Sequence, residues 1–385
     1  MRDGFQIMDV DRHVMEPVAM WAAYLPAWMQ PYAPRLAPFG PSESVAERVR
    51  RLGEHGLLPT PPVLAVAGEP IMRVPEAGYI ELGLVAARRR ELLAAVEAPH
   101  GHLAEMDVSG VDVAVMIPTY ASYLVDNDTV TAERSRAYAH AYNRWLSDFC
   151  AHAPTRLLGA AVVSRHDPDA MVGDLEQVVR DGMRAVVLFP NPVQGKTLGA
   201  PCHARFWAAC AHHAVAVLLH EGTHARVPTT GADRFATRFG QHACSHPMEA
   251  MMALLSLIEG GVLEANPTLR VGFLEAGCGW LPYWLWRLDQ LEYASMRGEV
   301  RRTVRRPPSE YFQRQCWVAL EPGEAMLDRV VPELGAPRLM FGTDFPHLDH
   351  DQGIVDAMLA LRPTLGDDAL RTILWDSPRA LLGNR

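Results

Sequence analysis

The sequence predicts a single (β/α)8 barrel, an α/β fold of the TIM type in which eight parallel strands alternate with helices. Three observations predict it. Eight apolar runs of strand length recur along the 385 residues, with helix-length stretches between them. Several runs, such as VDVAVMIP, RAVVLFP and HAVAVLLH, are nearly continuous in Val, Ala, Leu and Ile, as strands buried on both faces must be. Metal-binding side chains stand at the carboxyl ends of the first, fifth and eighth runs, the end at which a barrel gathers its functional groups.

Taken in order, the strands are expected at residues 5–13, 111–118, 157–164, 183–190, 213–220, 269–277, 316–320 and 339–345. Eight is also the number that closes a barrel of this kind. Helices fit the gaps at 129–150, at 167–181 with Asp167 as cap and Pro168 in the first turn, at 204–212, and at 247–259 with Ser245 as cap. No GxGxxG or GxxxxGK[ST] follows a strand, which argues against an open dinucleotide- or nucleotide-binding sheet. One interval breaks the rhythm. About residues 17–105 lie between the first two strands, far more than a crossover needs. We read them as an insertion on the catalytic face of one 1–385 domain: a lid or pocket wall and a possible subunit contact. Its Trp21, Tyr24, Trp28 and Tyr32 either line a pocket or pack locally.

Composition narrows the class. Apolar residues make up 49% and charged residues 21%, ordinary for a soluble domain. No uninterrupted apolar run is long enough to span a membrane, and the opening MRDGFQIMDVDRH is unlike a signal peptide. The net charge of −9 argues against nucleic acid as a partner. The basic run at 297–306 reads as solvated surface. Six cysteines, at 150, 202, 210, 244, 278 and 316, form no CxxC pair, the pattern of reduced thiols in a cytoplasmic protein.

The chemistry is carried by Asp11, His13, His220 and Asp344. In a strand, residues two apart share a face, so Asp11 and His13 reach one point in the barrel mouth. His220 ends the fifth run, and Asp344 ends the eighth after Gly342 and Thr343. Each alone is more often a satisfied polar group. Together they predict one divalent metal ion: two imidazoles and two carboxylates suit Zn2+ first, and also Mn2+ or Fe2+. No GxSxG elbow supports serine catalysis, and Cys278 is a weak thiol candidate.

DxHxxEP at 11–17, HEG at 220–222, GTDFPH at 342–347 and the segment SHPMEAMMALLSLIEGGVLEANPTLRVGFLEAGCGWLPYWLWRLD resemble the amidohydrolase superfamily, in the branch that includes aminocarboxymuconate semialdehyde decarboxylase. The resemblance implies one divalent metal on Asp11, His13, His220 and Asp344, and a non-oxidative decarboxylase of a small aromatic or unsaturated carboxylic acid. Decarboxylases of that branch usually carry a His at the end of strand six. Here VGFLEAGCGW places Glu275 there, either as general acid–base, as a metal-shell or hydrogen-bonding carboxylate, or as a structural one. The alternative is a hydrolase acting through a metal-activated water on an amide, lactone, C=N or C=O group, with Asp344 accepting the proton and Glu275 or His246 assisting the leaving group. A non-catalytic metal-binding barrel is the reading from another class.

Three further residues surround this set. His246 is a catalytic candidate or a helix-capping group. His347 either orients a ligand or touches substrate. Glu16 either fixes the strand-one loop through backbone hydrogen bonds or faces the pocket. His102, His140, His152, His166, His203, His212, His213 and His242 read as surface or packing residues. GWLPYWLWRLDQLEY at 279–293 is too aromatic for an exposed helix. It packs under the insertion or forms a subunit interface, and a homodimer acting on a small molecule is expected.

Overall fold

A computed structural model of the chain describes residues 1–38, 44–57, 62–347 and 353–383. Eight strands lie in chain order in one sheet: β1 (Met8–His13), β2 (Val113–Ile117), β3 (Leu157–Val162), β4 (Ala185–Leu188), β5 (Ala216–Leu219), β6 (Arg270–Phe273), β7 (Cys316–Leu320) and β8 (Leu339–Phe341). Every neighbouring pair is parallel. The sheet closes on itself: Arg12 and Phe345 form a parallel bridge. The Asp344 amide donates to the Asp11 carbonyl and the His13 amide to the Phe345 carbonyl, each at 2.8 Å.

Alternate residues of the strands fill two separate cores. Val10, Val115, Ala160, Val187, Leu218 and Met340 pack inside the barrel, with Leu381 from the last helix among them. Their neighbours Ala114, Met116, Ala161, Val186 and Val217 pack outward beneath the helices. This two-sided burial explains why the strands read as unbroken apolar runs.

Most helices fall where expected. Ala204–His212 is one, and Ala132–Cys150 begins where the Thr131 hydroxyl accepts the Arg134 amide. Two expectations are corrected. Asp167 does not cap a helix: residues 167–170 form a turn closed by the Ala170 amide on the Asp167 carbonyl, and the helix proper is Met171–Arg180. Nor does the helix after β5 begin at Pro247 with Ser245 as cap. It runs Arg238–Glu259, capped by Thr237, with Pro247 inside. An internal proline lacks one amide donor, and the buried face carrying His246, Glu249, Ala250, Ala253, Leu254 and Leu257 holds the helix together across that gap.

Between β1 and β2 the chain builds the helices Val18–Tyr24, Val45–Leu52, Glu76–Arg88 and Arg90–Ala95, plus a small antiparallel sheet of Arg35–Ala37, Val63–Val66 and Glu69–Pro70. Pro99–Ser109 then returns to the barrel, burying His102 and Met106. The four aromatics do not line the pocket. Trp21 is fully buried edge-on to Tyr138, the Tyr24 hydroxyl donates to Asp148, Tyr32 lies under Arg134, and Trp28 is exposed. Trp21, Tyr24 and Tyr32 pin the first part of the insertion to the helix Ala132–Cys150, which is local packing.

The segment 279–293 forms the helix Leu281–Arg287 and a wider turn through Tyr293. Leu281, Leu285 and Leu288 are buried, and the Trp284 indole donates to the Met251 carbonyl of the neighbouring helix. Tyr283 and Trp286 stay half exposed. All six cysteines are unpaired. Among the described residues no helix is long and apolar enough to cross a membrane.

The closing seam leaves no room at Gly342, where a Cβ would stand 2.5 Å from the Asp11 Cβ. Gly342→Ala is therefore expected to cost about 1–3 kcal/mol in unfolding experiments and to weaken divalent-ion uptake by displacing Asp11. Wild-type Tm together with wild-type uptake would show that the seam is looser than this.

Candidate metal centre

β1 delivers Asp11 and His13. Asp9 pairs with Ala114 while Arg12 pairs with Met116, so β1 carries one extra residue between them. Such a bulge bends a strand and re-aims its side chains. His220 directly follows β5. Glu275 and Asp344 lie two and three residues beyond the ends of β6 and β8, in left-handed conformations with φ of 48° and 52°. The strands expected at 269–277 and 339–345 stop early for that reason. Non-glycine residues seldom hold this conformation, and those that do cluster at functional sites.

Backbone carbonyls fix both histidine tautomers. His13 Nδ1 lies 2.8 Å from the Pro118 oxygen and His220 Nδ1 lies 2.9 Å from the Glu221 oxygen, so each Nδ1 carries the proton and donates it. Both Nε2 atoms then present lone pairs, yet they face each other at 3.1 Å. Asp344 Oδ1 is 3.2 Å and Asp11 Oδ1 3.5 Å from His13 Nε2. Neither oxygen accepts a well-aligned hydrogen bond, although both are buried. One ligand atom from each of these four residues lies within 4.8 Å of all the others. Acceptors that converge on one point with no well-aligned donor between them favour a cation there, and this ligand set fits a divalent metal.

Burial works against a charged His13, but the nearby carboxylates of Asp11 and Asp344 carry its pKa up to about 9. His220 is raised too: burial opposes the charge, and Asp11 and Glu275 outweigh it. His347 stacks on His13 at 3.7 Å and places Nδ1 2.7 Å from Asp344 Oδ1, with Thr119 Oγ1 on its other nitrogen. Such a contact orients a ligand carboxylate.

Glu275 and His246 form a second unit. Glu275 Oε2 lies 3.0 Å from His220 Nε2 and 3.3 Å from His246 Nε2. On its other side His246 meets Ser245 Oγ, Thr223 Oγ1 and, at 3.7 Å, Glu221 Oε2. Burial opposes a charged His246, but Glu275 and Glu221 lift its pKa to about 10. Burial alone would raise Glu275, yet His246 and His220 hold it well below the usual carboxylate range. Both shifts favour an imidazolium beside a carboxylate.

Glu16 accepts the Tyr120 and Ala121 amides at 2.9–3.1 Å, tying the loop after β2 to the loop after β1, and it does not line the cavity. Cys278 is buried and its thiol is pushed up by burial and by Glu324.

Above this floor lies a cavity of about 380 Å³, within the range of small-molecule sites. His13, His220, His246, Glu275 and His347 border it. The insertion supplies much of its apolar wall through Leu64, Ile71, Met72, Val74, Tyr79 and Leu82, facing Tyr120, Tyr123 and Phe189. Three residues escaped the sequence reading. His242, expected at the surface or in packing, lines the cavity and has a ring nitrogen within 4.8 Å of His246 and Glu275 ligand atoms. Its spacing of four from His246 on one helix would have found it, had the helix been started at Arg238. His224 also lines the cavity. Glu321, just past β7, has its carboxyl lifted to about 8 by burial and by Asp11, Glu275 and Asp344.

The sequence model of the amidohydrolase family matches residues 72–383. The chain belongs to the amidohydrolase family. A gamma-resorcylate decarboxylase from Rhizobium radiobacter is 26% identical over 219 residues, 54% of this amidohydrolase and 66% of that protein, so the match spans just under two thirds of the relative. Among solved structures, an amidohydrolase from Mycobacterium avium subsp. paratuberculosis superposes with a TM-score of 0.77 at 20% identity, covering 99% of this chain and 100% of that one. A 5-carboxyvanillate decarboxylase from Novosphingobium aromaticivorans, solved with manganese and 3-methoxy-4-hydroxy-5-nitrobenzoic acid, superposes with a TM-score of 0.71 at 17% identity over 99% and 98% of the two chains. These likenesses establish the barrel of this amidohydrolase.

Elemental analysis after equilibration with Mn2+ or Zn2+ is expected to find about one ion per chain, lost in both His220→Ala and Asp344→Asn. Full retention in either variant would remove that residue from the set. The proton that His13 holds up to about pH 9 must leave when an ion binds. Ion affinity should therefore fall as pH drops below that value, by about tenfold per unit for each proton displaced. An affinity flat across that range would contradict the assignment.

Proposed function

We propose that this amidohydrolase is a metal-dependent, non-oxidative decarboxylase of a small aromatic or unsaturated carboxylic acid. The observation that carries the reading is the His246–Glu275 contact at 3.3 Å beside four converging ligand atoms at the floor of an apolar cavity. The matched relative's activity on an aromatic acid supports it. In this reading Asp11, His13, His220 and Asp344 hold one ion. Their chemistry suits Zn2+ and Mn2+ alike, and the manganese of the carboxyvanillate enzyme makes Mn2+ equal first choice. A divalent ion there supplies positive charge to grip a substrate oxygen and offset developing negative charge.

The chain's own residues do the rest. The apolar walls strip water from the substrate carboxylate, which favours its departure as neutral CO2. His246 carries the proton that replaces it: the electron pair of the breaking C–C bond takes that proton onto the carbon. Glu275 keeps His246 charged and aimed, and His347 orients Asp344. Glu16 holds the loops that frame the opening. Hydrolysis is the second reading. Glu275, kept ionised by His246 and His220, would accept a hydrogen bond from an attacking water and orient it, with Asp344 taking the proton and His246 assisting the leaving group.

We also assign the protein to the cytoplasm, on its unpaired cysteines, and to a homodimer. Tyr283 and Trp286 lie side by side, their ring centroids 6.0 Å apart, and about half exposed, an aromatic surface that favours a subunit contact.

With Mn2+ or Zn2+ restored to chelator-treated protein, CO2 release from a panel of aromatic acids is expected, and His246→Gln should lower kcat by about 10²–10⁴-fold. Hydrolysis products without CO2 would move the assignment to the second reading. A mass measurement in solution should find two chains, and Trp286→Glu should shift the protein toward one. A wild-type protein of single-chain mass would rule the dimer out.

A further inference from the structure

His224 is 5% exposed, lines the cavity, and makes no hydrogen bond through either ring nitrogen. The other histidines of the cavity floor differ. His13, His220, His246 and His347 each have a partner within 3.3 Å. The Gln241 side chain comes close enough to favour a charged His224 ring, but the contact lacks hydrogen-bond geometry and the Gln241 side-chain amide donates to the Phe235 carbonyl instead. A buried imidazole with both polar atoms unanswered is unfavourable unless something else answers them.

The backbone around His224 is held on several sides. Its carbonyl accepts the Arg73 amide at 2.8 Å and the Ala225 amide donates to the Gly222 carbonyl. The Arg226 side chain donates to the Pro70 carbonyl, and the Arg226 carbonyl accepts the Asp128 amide. The ring is thus carried by a loop stitched both to the insertion and to the loop after β2.

We propose that His224 reads a hydroxyl group on the substrate, at a ring position away from the ion-binding residues, and so decides which aromatic acid is accepted. The proposal rests on the decarboxylase reading above. Its chemistry follows from the charge of the ring. Burial, reinforced by Arg238 and His242, pushes the pKa of His224 down to about 4, so the ring is neutral near neutral pH. A neutral imidazole offers one N–H and one lone pair. A carboxylate answers only the N–H. An ammonium answers only the lone pair and is repelled by Arg238. A hydroxyl both donates and accepts, so it answers either nitrogen. The insertion wall beside it offers mainly apolar side chains, so His224 is the group there that tells a hydroxylated edge from a bare one.

The test is calorimetric binding to Mn2+-loaded protein, with benzoate, 3-hydroxybenzoate, 4-hydroxybenzoate and terephthalate as probes. The wild type is expected to bind one of the two hydroxybenzoates about tenfold more tightly than benzoate. His224→Phe should abolish that preference while leaving benzoate affinity near the wild-type value. His224→Gln, which keeps a donor and an acceptor, should retain part of it and serves in its place if the Phe variant does not fold. Equal binding of all three monoacids by the wild type would overturn the proposal, as would a preference that survives both substitutions. Tightest binding of terephthalate, lost in His224→Phe, would overturn it in favour of an anion subsite. If no acid binds the wild type, the decarboxylase reading itself fails and takes this inference with it.

Discussion

The seam where the last strand meets the first is the constraint on which the site depends. Two backbone hydrogen bonds cross it, and they join the residues that carry Asp11, His13 and Asp344. Behind them the Asp9 carboxylate accepts the Thr343 amide, the Thr343 hydroxyl and the Asp11 amide. Arg12 balances it, fully buried between Asp9, His102 and Glu105 and lying over the Phe345 ring. Burial still dominates at Asp9 and lifts its pKa to about 6 despite Arg12 and the Thr343 contacts. A buried polar seam of this kind is tolerable only because nearly every group in it is answered, and that requirement fixes the backbone to which the ligand side chains are attached.

Charge is the second organising force. Asp11, Asp344, Glu275 and Glu321 converge on the mouth of the barrel against His13, His220 and His246. Acids crowded in a low-dielectric site hold protons or gather cations. Here the two solutions are divided in space. The Asp11–Asp344 side leaves acceptor atoms unanswered, whereas the Glu275 carboxylate already faces His220 and His246. One floor therefore offers both a place for a positive ion and a proton carrier, the two things that either reaction class requires.

The barrel and its four ligand candidates were legible in the sequence because both follow from periodicity. Strands buried on two faces read as apolar runs, and Asp11-x-His13 obeys the two-residue repeat. Legibility failed where tertiary contacts override local signals. Pro247 looked like a first-turn proline, which truncated a helix and hid His242. The aromatics of the insertion looked like pocket lining, but Trp21 and Tyr32 serve the helix Ala132–Cys150. His224 lies in a loop with no repeat to reveal it. The left-handed turns at Glu275 and Asp344 are likewise invisible to strand patterns, although they aim the side chains that matter.

The closing seam has a consequence for the candidate ligands. Asp11 and His13 sit on one side of it and Asp344 on the other, while His220 follows β5, a strand that takes no part in it. Any local opening of the seam would part Asp344 from Asp11 and His13 in one movement. Closure of the sheet and assembly of the four-residue cluster are therefore a single event, and an ion held by all four would in turn clasp the barrel shut.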